Sequence, residues 1–235
     1  MHLDESRALV NNRYMRKTEF VNGEYYHIFN RGVDKRKIFQ DDGDFSRFWL
    51  VANLLNDIED DLMTQWKNYR RKRPDLNLEM FRRESGSRQK PLVAIVSYCF
   101  NPNHFHFILK QVKDNGIKKF MHKIGTSYAN YFNEKYDRTG ALFEGRFKSI
   151  HIKNNSRLLY LSAYVNCNSE IHNIAKAPTY KWCSFLEYTT GNKDGMCDKK
   201  IILEQFRSRR DYAEFMKENV QYAKQRKEEE KDFLE

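Results

Sequence analysis

The chain has 235 residues, 40% of them hydrophobic, with a formal net charge of +10 and an isoelectric point near 9.3. That length and apolar content exclude a disordered chain and suit one sizeable core, while the charge favours a polyanionic partner, nucleic acid first. No apolar run approaches the roughly 20 residues of a membrane span, the start MHLDESRALVNNRYMRK has no apolar signal core, and Cys99, Cys167, Cys183 and Cys197 form no Cys-x-x-Cys pair, which fits a reducing, cytoplasmic setting.

Residues 1–20 are polar and read as a lead-in. The run 24–29, EYYHIF, is aromatic and β-branched and ends in Asn30-Arg31-Gly32, a strand and a turn. From 44 to 62, Phe45, Phe48, Trp49, Ala52, Leu55, Ile58 and Leu62 recur at helical spacing behind Asp41, Asp42 and Asp44, whose charge suits a helix N-terminus. Residues 65–90 change character: nine Lys or Arg, one Pro and weak periodicity make a basic insertion, either an arm along a phosphate backbone or a solvated excursion.

Strands are expected over 92–99 and 104–111, reversed at Asn101-Pro102-Asn103, because Pro102 cannot donate to a ladder. A helix over 117–136 follows, with Ile117, Phe120, Met121, Ile124, Tyr128, Tyr131 and Phe132 on one side and Lys118, Lys119 and Lys123 on the other. ALFEGRFKSIHI then returns as an extended segment, and Ser156 is a plausible N-cap for a third helix over 157–168. Residues 178–190 read as an irregular aromatic segment, and 191–235 as a helical tail ending in a charge run. The simplest way to bury these elements is an α+β fold: a mostly antiparallel sheet with helices packed on one face, followed by a C-terminal helical extension.

Within the second expected strand, His104 and His106 point to one face while Phe105 and Phe107 point to the other. Two imidazoles so placed could grip one metal ion, or simply be a half-exposed pair, since two nitrogens do not complete a site. On the third helix Tyr160, Tyr164 and Asn168 recur every four residues and share a face. Packed across the sheet, Asn168 could offer an oxygen to the same metal and Tyr164 a hydroxyl. His27, His122 and His151 have no metal-like partners in sequence.

PNHFHFILK resembles the His-hydrophobe-His motif of single-tyrosine HUH transposases. YHIFNRGVDKRKIF, YANYFNEKYDRTGALFEGRFKS and YLSAYVNCN resemble successive blocks of that family, in order, across 25–188. The spacing is most similar to the REP-associated and IS200-like branches. The resemblance implies a ferredoxin-like domain over 21–190 that cuts and rejoins single-stranded DNA bearing hairpins, using Mg²⁺ or Mn²⁺. His104 and His106 match the metal-binding histidines, Tyr164 the nucleophile and Asn168 the side chain completing the metal site. Arg31, Lys35, Arg36, Lys37, Arg138, Arg146 and Lys148 lie in or beside the family blocks and are candidate phosphate contacts. The sequence departs from the family where Ser169 and Glu170 follow Asn168, and in the length of the basic insertion.

The implied setting is the cytoplasm, at the nucleoid, and a homodimer is compatible with the family. Two alternatives carry different functions: a domesticated DNA- or RNA-binding module that no longer cuts, and a metal-dependent hydrolase that would survive Tyr164→Phe. A rolling-circle or plasmid-mobilisation nuclease shares the chemistry, but the chain has no helicase segment.

Overall fold

The structure, a computed structural model, describes residues 19–86, 89–191 and 195–232. Most of the expected lead-in and the end of the charged tail lie outside these residues. Four strands, β1 (Tyr25–Arg31), β2 (Val93–Asn101), β3 (His104–Gln111) and β4 (Lys148–His151), form one antiparallel sheet in the order β2-β3-β1-β4. With α1 (Asp42–Leu54) between β1 and β2, and α4 (Gly116–Lys135) between β3 and β4, this is the βαββαβ order of a ferredoxin-like fold.

Alternation along the strands assigns the two faces. Tyr26, Ile28, Phe105, Phe107 and Leu109 meet Phe48 from α1 and Phe120, Ile124 and Tyr128 from α4 in one core. This is the expected helix-covered face. Val96, Cys99 and Ile108 face the other way, into a second core with α5 (Asn155–Asn166), α6 (Asn168–Ile171), α7 (Phe185–Thr189) and α9 (Arg209–Asp232). The C-terminal extension therefore joins α5, α6 and α7 in a helical layer on this second face. Tyr212, Met216 and Val220 are buried in it, and Tyr212 Oη bonds Ser162 and Asn166 of α5.

Several expected boundaries move for local reasons. The helix expected over 44–62 ends at Leu54, and Leu62 opens α2 (Leu62–Lys72). Buried Asn56 breaks it by accepting from the backbone of Leu92 and Val93 and donating to Val93 O, a side-chain competition with helical bonding. The basic insertion folds as α2 and α3 (Leu78–Glu84), with Trp66, Leu76 and Phe81 buried between them and the domain. The cap of α5 is Asn154 rather than Ser156: its side chain accepts from Arg157 N at 2.8 Å. Tyr164 and Asn168 do not lie on one unbroken helix, because Cys167 (φ −106°, ψ 13°) separates α5 from α6. In the tail, α8 (Lys200–Leu203) precedes the single long α9. The four cysteines are free thiols, and among the described residues no helix is long and apolar enough to cross a membrane.

Candidate active site

The second face of the sheet is polar where β1 ends and β3 begins. The two-residue reversal at Pro102-Asn103 puts Asn101 opposite His104, and antiparallel pairing puts His104 opposite Arg31 and His106 opposite Phe29. α5 crosses this face and brings Tyr164 over it, with the phenol ring edge-on to His106 at 6.0 Å and to His27 at 6.3 Å between centroids. His104, His106, Tyr164, Lys35, Lys148 and His172 are among the residues lining one cavity of about 510 Å³.

The first turn of α6 completes the cluster. Asn168 is fully buried, and its Oδ1 lies 3.2 Å from His104 Nε2 and accepts from Asn101 Nδ2 at 2.6 Å. Asn101 Nδ2 also approaches His104 Nε2 at 2.9 Å. On the far side of that ring, Asn103 Oδ1 lies 2.7 Å from Nδ1. An oxygen partner there requires Nδ1 to carry the proton, which leaves Nε2 with a lone pair directed at Asn168. His106 Nδ1 is held by His27 Nε2 at 2.9 Å. Burial pushes the His27 pKa down to about 3, helped by the Arg157 charge. Burial, then the neighbouring His27, lowers His106 well below the ordinary histidine value. Both imidazoles are neutral at pH 7, the form that ligates metals.

These side chains fit a divalent cation. His104 Nε2 and Asn168 Oδ1 are two neighbouring acceptors, both met by the Asn101 amide donor, whose place a cation would take. Their 3.2 Å separation is close to the ~3.0 Å expected of adjacent octahedral ligands each about 2.1 Å from an ion. Asn168 Nδ2 is buried without a hydrogen-bond partner, so the carboxamide is not held there by its own donor. The amide oxygen suits Mg²⁺ or Mn²⁺ and the imidazole nitrogens suit transition ions, so the mixed set admits a divalent cation without selecting one. Among the described residues no group of three or more His, Cys, Asp or Glu could hold a metal, so a site here depends on the amide.

The cations expected to meet DNA divide by location. Arg31, Lys35 and Lys148 line the cavity. Lys35 does so from a turn in which it and Asp34 both adopt left-handed backbone (φ 56° and 54°), a conformation costly for non-glycine residues. Arg31 forks onto Glu144, so part of its charge is already answered, and holds the Glu144 carboxyl below its ordinary pKa. Arg146 lies on the neighbouring side of the β4 lead-in. Arg36 turns back to Val33 O and Asp34, and Lys37 is exposed. Arg138 lies over Phe132 and bonds Asn133 at the end of α4, outside the cavity; its guanidinium is used to finish that helix.

Three residues of the cluster were not singled out from sequence. His27 reaches His106 because β1 pairs with β3 in a register that a single strand does not reveal. Asn101 was legible only as turn chemistry, although a two-residue reversal necessarily places it across from His104. His172, whose ring lies 5.1 Å from that of His104, repeats the four-residue spacing of Tyr160, Tyr164 and Asn168, a signal present in the sequence. Tyr160 itself packs in the second core under the Arg157 guanidinium and does not line the cavity.

A family model described as IS200-like transposase matches residues 67–168. That span runs from α2 through the His-Phe-His strand to Asn168, narrower than the 25–188 over which the sequence suggested likeness. A comparison with curated proteins finds no match. Among solved structures, one described as a REP-associated tyrosine transposase bound to a REP hairpin is 11% identical, with a TM-score of 0.48 over 75% of this chain and 86% of that one. Over residues 67–168, which take in the histidine strand and the Tyr164 helix, this chain is similar to the IS200-like transposase family.

Proposed function

We propose that this protein is a transposase, a metal-dependent single-stranded DNA endonuclease and strand transferase. It acts at hairpin-bearing DNA through a covalent 5′-phosphotyrosine on Tyr164. The observation that carries this reading is the convergence of Tyr164, His104 and His106 of one chain on one basic cavity, with Asn168 buried beside His104.

His104, His106 and Asn168 would hold the ion. A divalent cation there supplies neutralisation of charge developing on the phosphate oxygens and favours loss of the nearby phenol's proton. The remaining work belongs to the chain. Asn103 and His27 fix the outer nitrogens of the two imidazoles, so the ligand nitrogens keep their direction. Lys35 and Lys148 lie on the cavity wall, placed to draw in a phosphodiester and counter its charge as a fifth oxygen approaches phosphorus. Tyr164 Oη attacks phosphorus: the Oη–P bond forms, the bond from phosphorus to the 3′ oxygen breaks, the phenol gives up its proton and the departing oxygen takes one. The product is DNA joined through its 5′ phosphate to Tyr164, with a free 3′-hydroxyl on the other piece. Because the ester keeps a phosphodiester linkage, attack by a 3′-hydroxyl reverses it and rejoins DNA without another energy source.

The test is an end-labelled hairpin with single-stranded flanks, incubated with the protein and Mg²⁺ or Mn²⁺. Cleavage that leaves a free 3′-hydroxyl, stops with EDTA and spares fully duplex DNA is expected. Tight binding with no cutting under either metal would favour a domesticated binding module instead.

A further inference from the structure

On the other side of the segment leading into β4 lies a second, larger groove of about 870 Å³. Such a volume is within the roughly 300–1,000 Å³ range of sites that enclose small molecules. It is lined by the start of the four-residue β4, the segment before it and α4. Phe147 and Phe143 line one wall and Met121, His122 and Gly125 of α4 the other, while Phe20 stacks on Phe147 with centroids 6.2 Å apart. Lys118, His122, Arg146 and Lys148 ring it, and none of the described residues lining it is acidic. Asn30 and Lys148 also line the Tyr164 cavity, so the two spaces adjoin.

Gly125 is the second observation. It lies in the interior of the 20-residue α4, where glycine is less favourable than alanine. Close packing does not require it: a Cβ built there meets nothing within 4 Å, and its φ is not positive. What a side chain at 125 would occupy is the groove.

We propose that this groove is a binding site for unpaired nucleobases of the DNA strand that enters the Tyr164 cavity. This rests on the DNA-cleaving reading above and adds a subsite to it. The aromatic walls offer stacking faces to bases of any sequence. The cations at the rim meet the phosphates on either side, and Lys148 lies where the strand would pass from one space to the other.

The test is binding in EDTA, which separates affinity from cutting. Two probes are compared: a DNA hairpin carrying a single-stranded extension and the same hairpin with a blunt end. Gly125→Leu fills the groove and raises helix propensity; Phe147→Ala removes a stacking wall by an independent change. Each is expected to weaken binding of the extended hairpin by about tenfold, the order of one base stack removed, with blunt-hairpin affinity unchanged. A 4-thiothymidine in the extension should crosslink to residues 118–126 or 143–149. Wild-type affinity for the extended hairpin in both variants, or crosslinks confined to the Tyr164 cavity, would overturn the proposal. If the wild-type protein never cuts DNA yet both variants lose affinity selectively, the groove stands and the nuclease reading falls.

Discussion

At the scale of single residues, the candidate site is a set of neutral groups whose directions are fixed by other neutral groups. His106 cannot choose its tautomer independently, because His27 Nε2 sits 2.9 Å from its Nδ1 in a buried place. Replacing His27 by Leu should lower affinity for Mn²⁺ by about 10- to 100-fold, the usual cost of losing an outer partner of a metal-bound imidazole. Electron paramagnetic resonance of Mn²⁺ titrations reads this directly, and His27→Gln, which can still hydrogen-bond, should recover part of the loss. Equal affinity in His27→Leu would make His27 mere filler. The four side chains proposed to act in the reaction were all legible from spacing and motif. Of the three that surround them, His27 and Asn101 were not, because they reach the site by strand pairing, which no local periodicity records, whereas His172 continues the four-residue spacing of Tyr164 and Asn168 and was not singled out.

At the scale of elements, what positions Tyr164 is the start of α5 and the sheet beneath it. Asn154 accepts from Arg157 N and so satisfies one of the donors a helix N-terminus leaves open. Asn154→Ala should cost about 1 kcal/mol of stability, visible as a lower denaturation midpoint. Asn154→Ser should recover most of it, whereas Ser156→Ala should change little. Strand and helix types were readable because alternation and helical spacing are strong in β3 and α4. Ends were less so. The break after Leu54 depends on Asn56 finding the backbone of β2, and the extended run at 141–152 forms a ladder over Lys148–His151, with an isolated bridge from Phe143 to Gly32 before it. The weak periodicity of 65–90 hid two short helices, since their burial rests on a few residues, Trp66, Leu76 and Phe81, against a highly charged background.

At the scale of the whole molecule, charge and connectivity decide how DNA would be held on the proposed reading. The α2–α3 insertion adjoins the Val93 end of β2, through Arg82 on Asn53 and Lys90 N on Asp57, whereas the candidate site is at the Asn101 end. Eight steps of about 3.3 Å place these roughly 25 Å apart, well beyond the Debye length of about 8 Å at physiological salt. Neutralising Lys67, Arg71, Lys72 and Arg83 together should therefore leave the salt dependence of binding to a short single-stranded oligonucleotide unchanged. Neutralising Lys35 and Lys148 should flatten its slope by about 0.7 for each phosphate that no longer meets a cation. The reverse pattern would relocate the DNA to the insertion. Connectivity makes a second statement: Tyr164 lies against His106 of its own chain, so mixing Tyr164→Phe protein with His104→Ala/His106→Ala protein should not restore cutting. Restoration would mean that helices exchange between two copies. The most direct measurement is a denaturing gel of protein incubated with 3′-labelled hairpin DNA and Mg²⁺. Wild-type protein should carry the labelled downstream piece as a covalent adduct, and Tyr164→Phe should carry none and leave the DNA uncut. Cleavage by Tyr164→Phe at the wild-type rate, or cleavage by the wild type with no adduct at any time, would contradict the account.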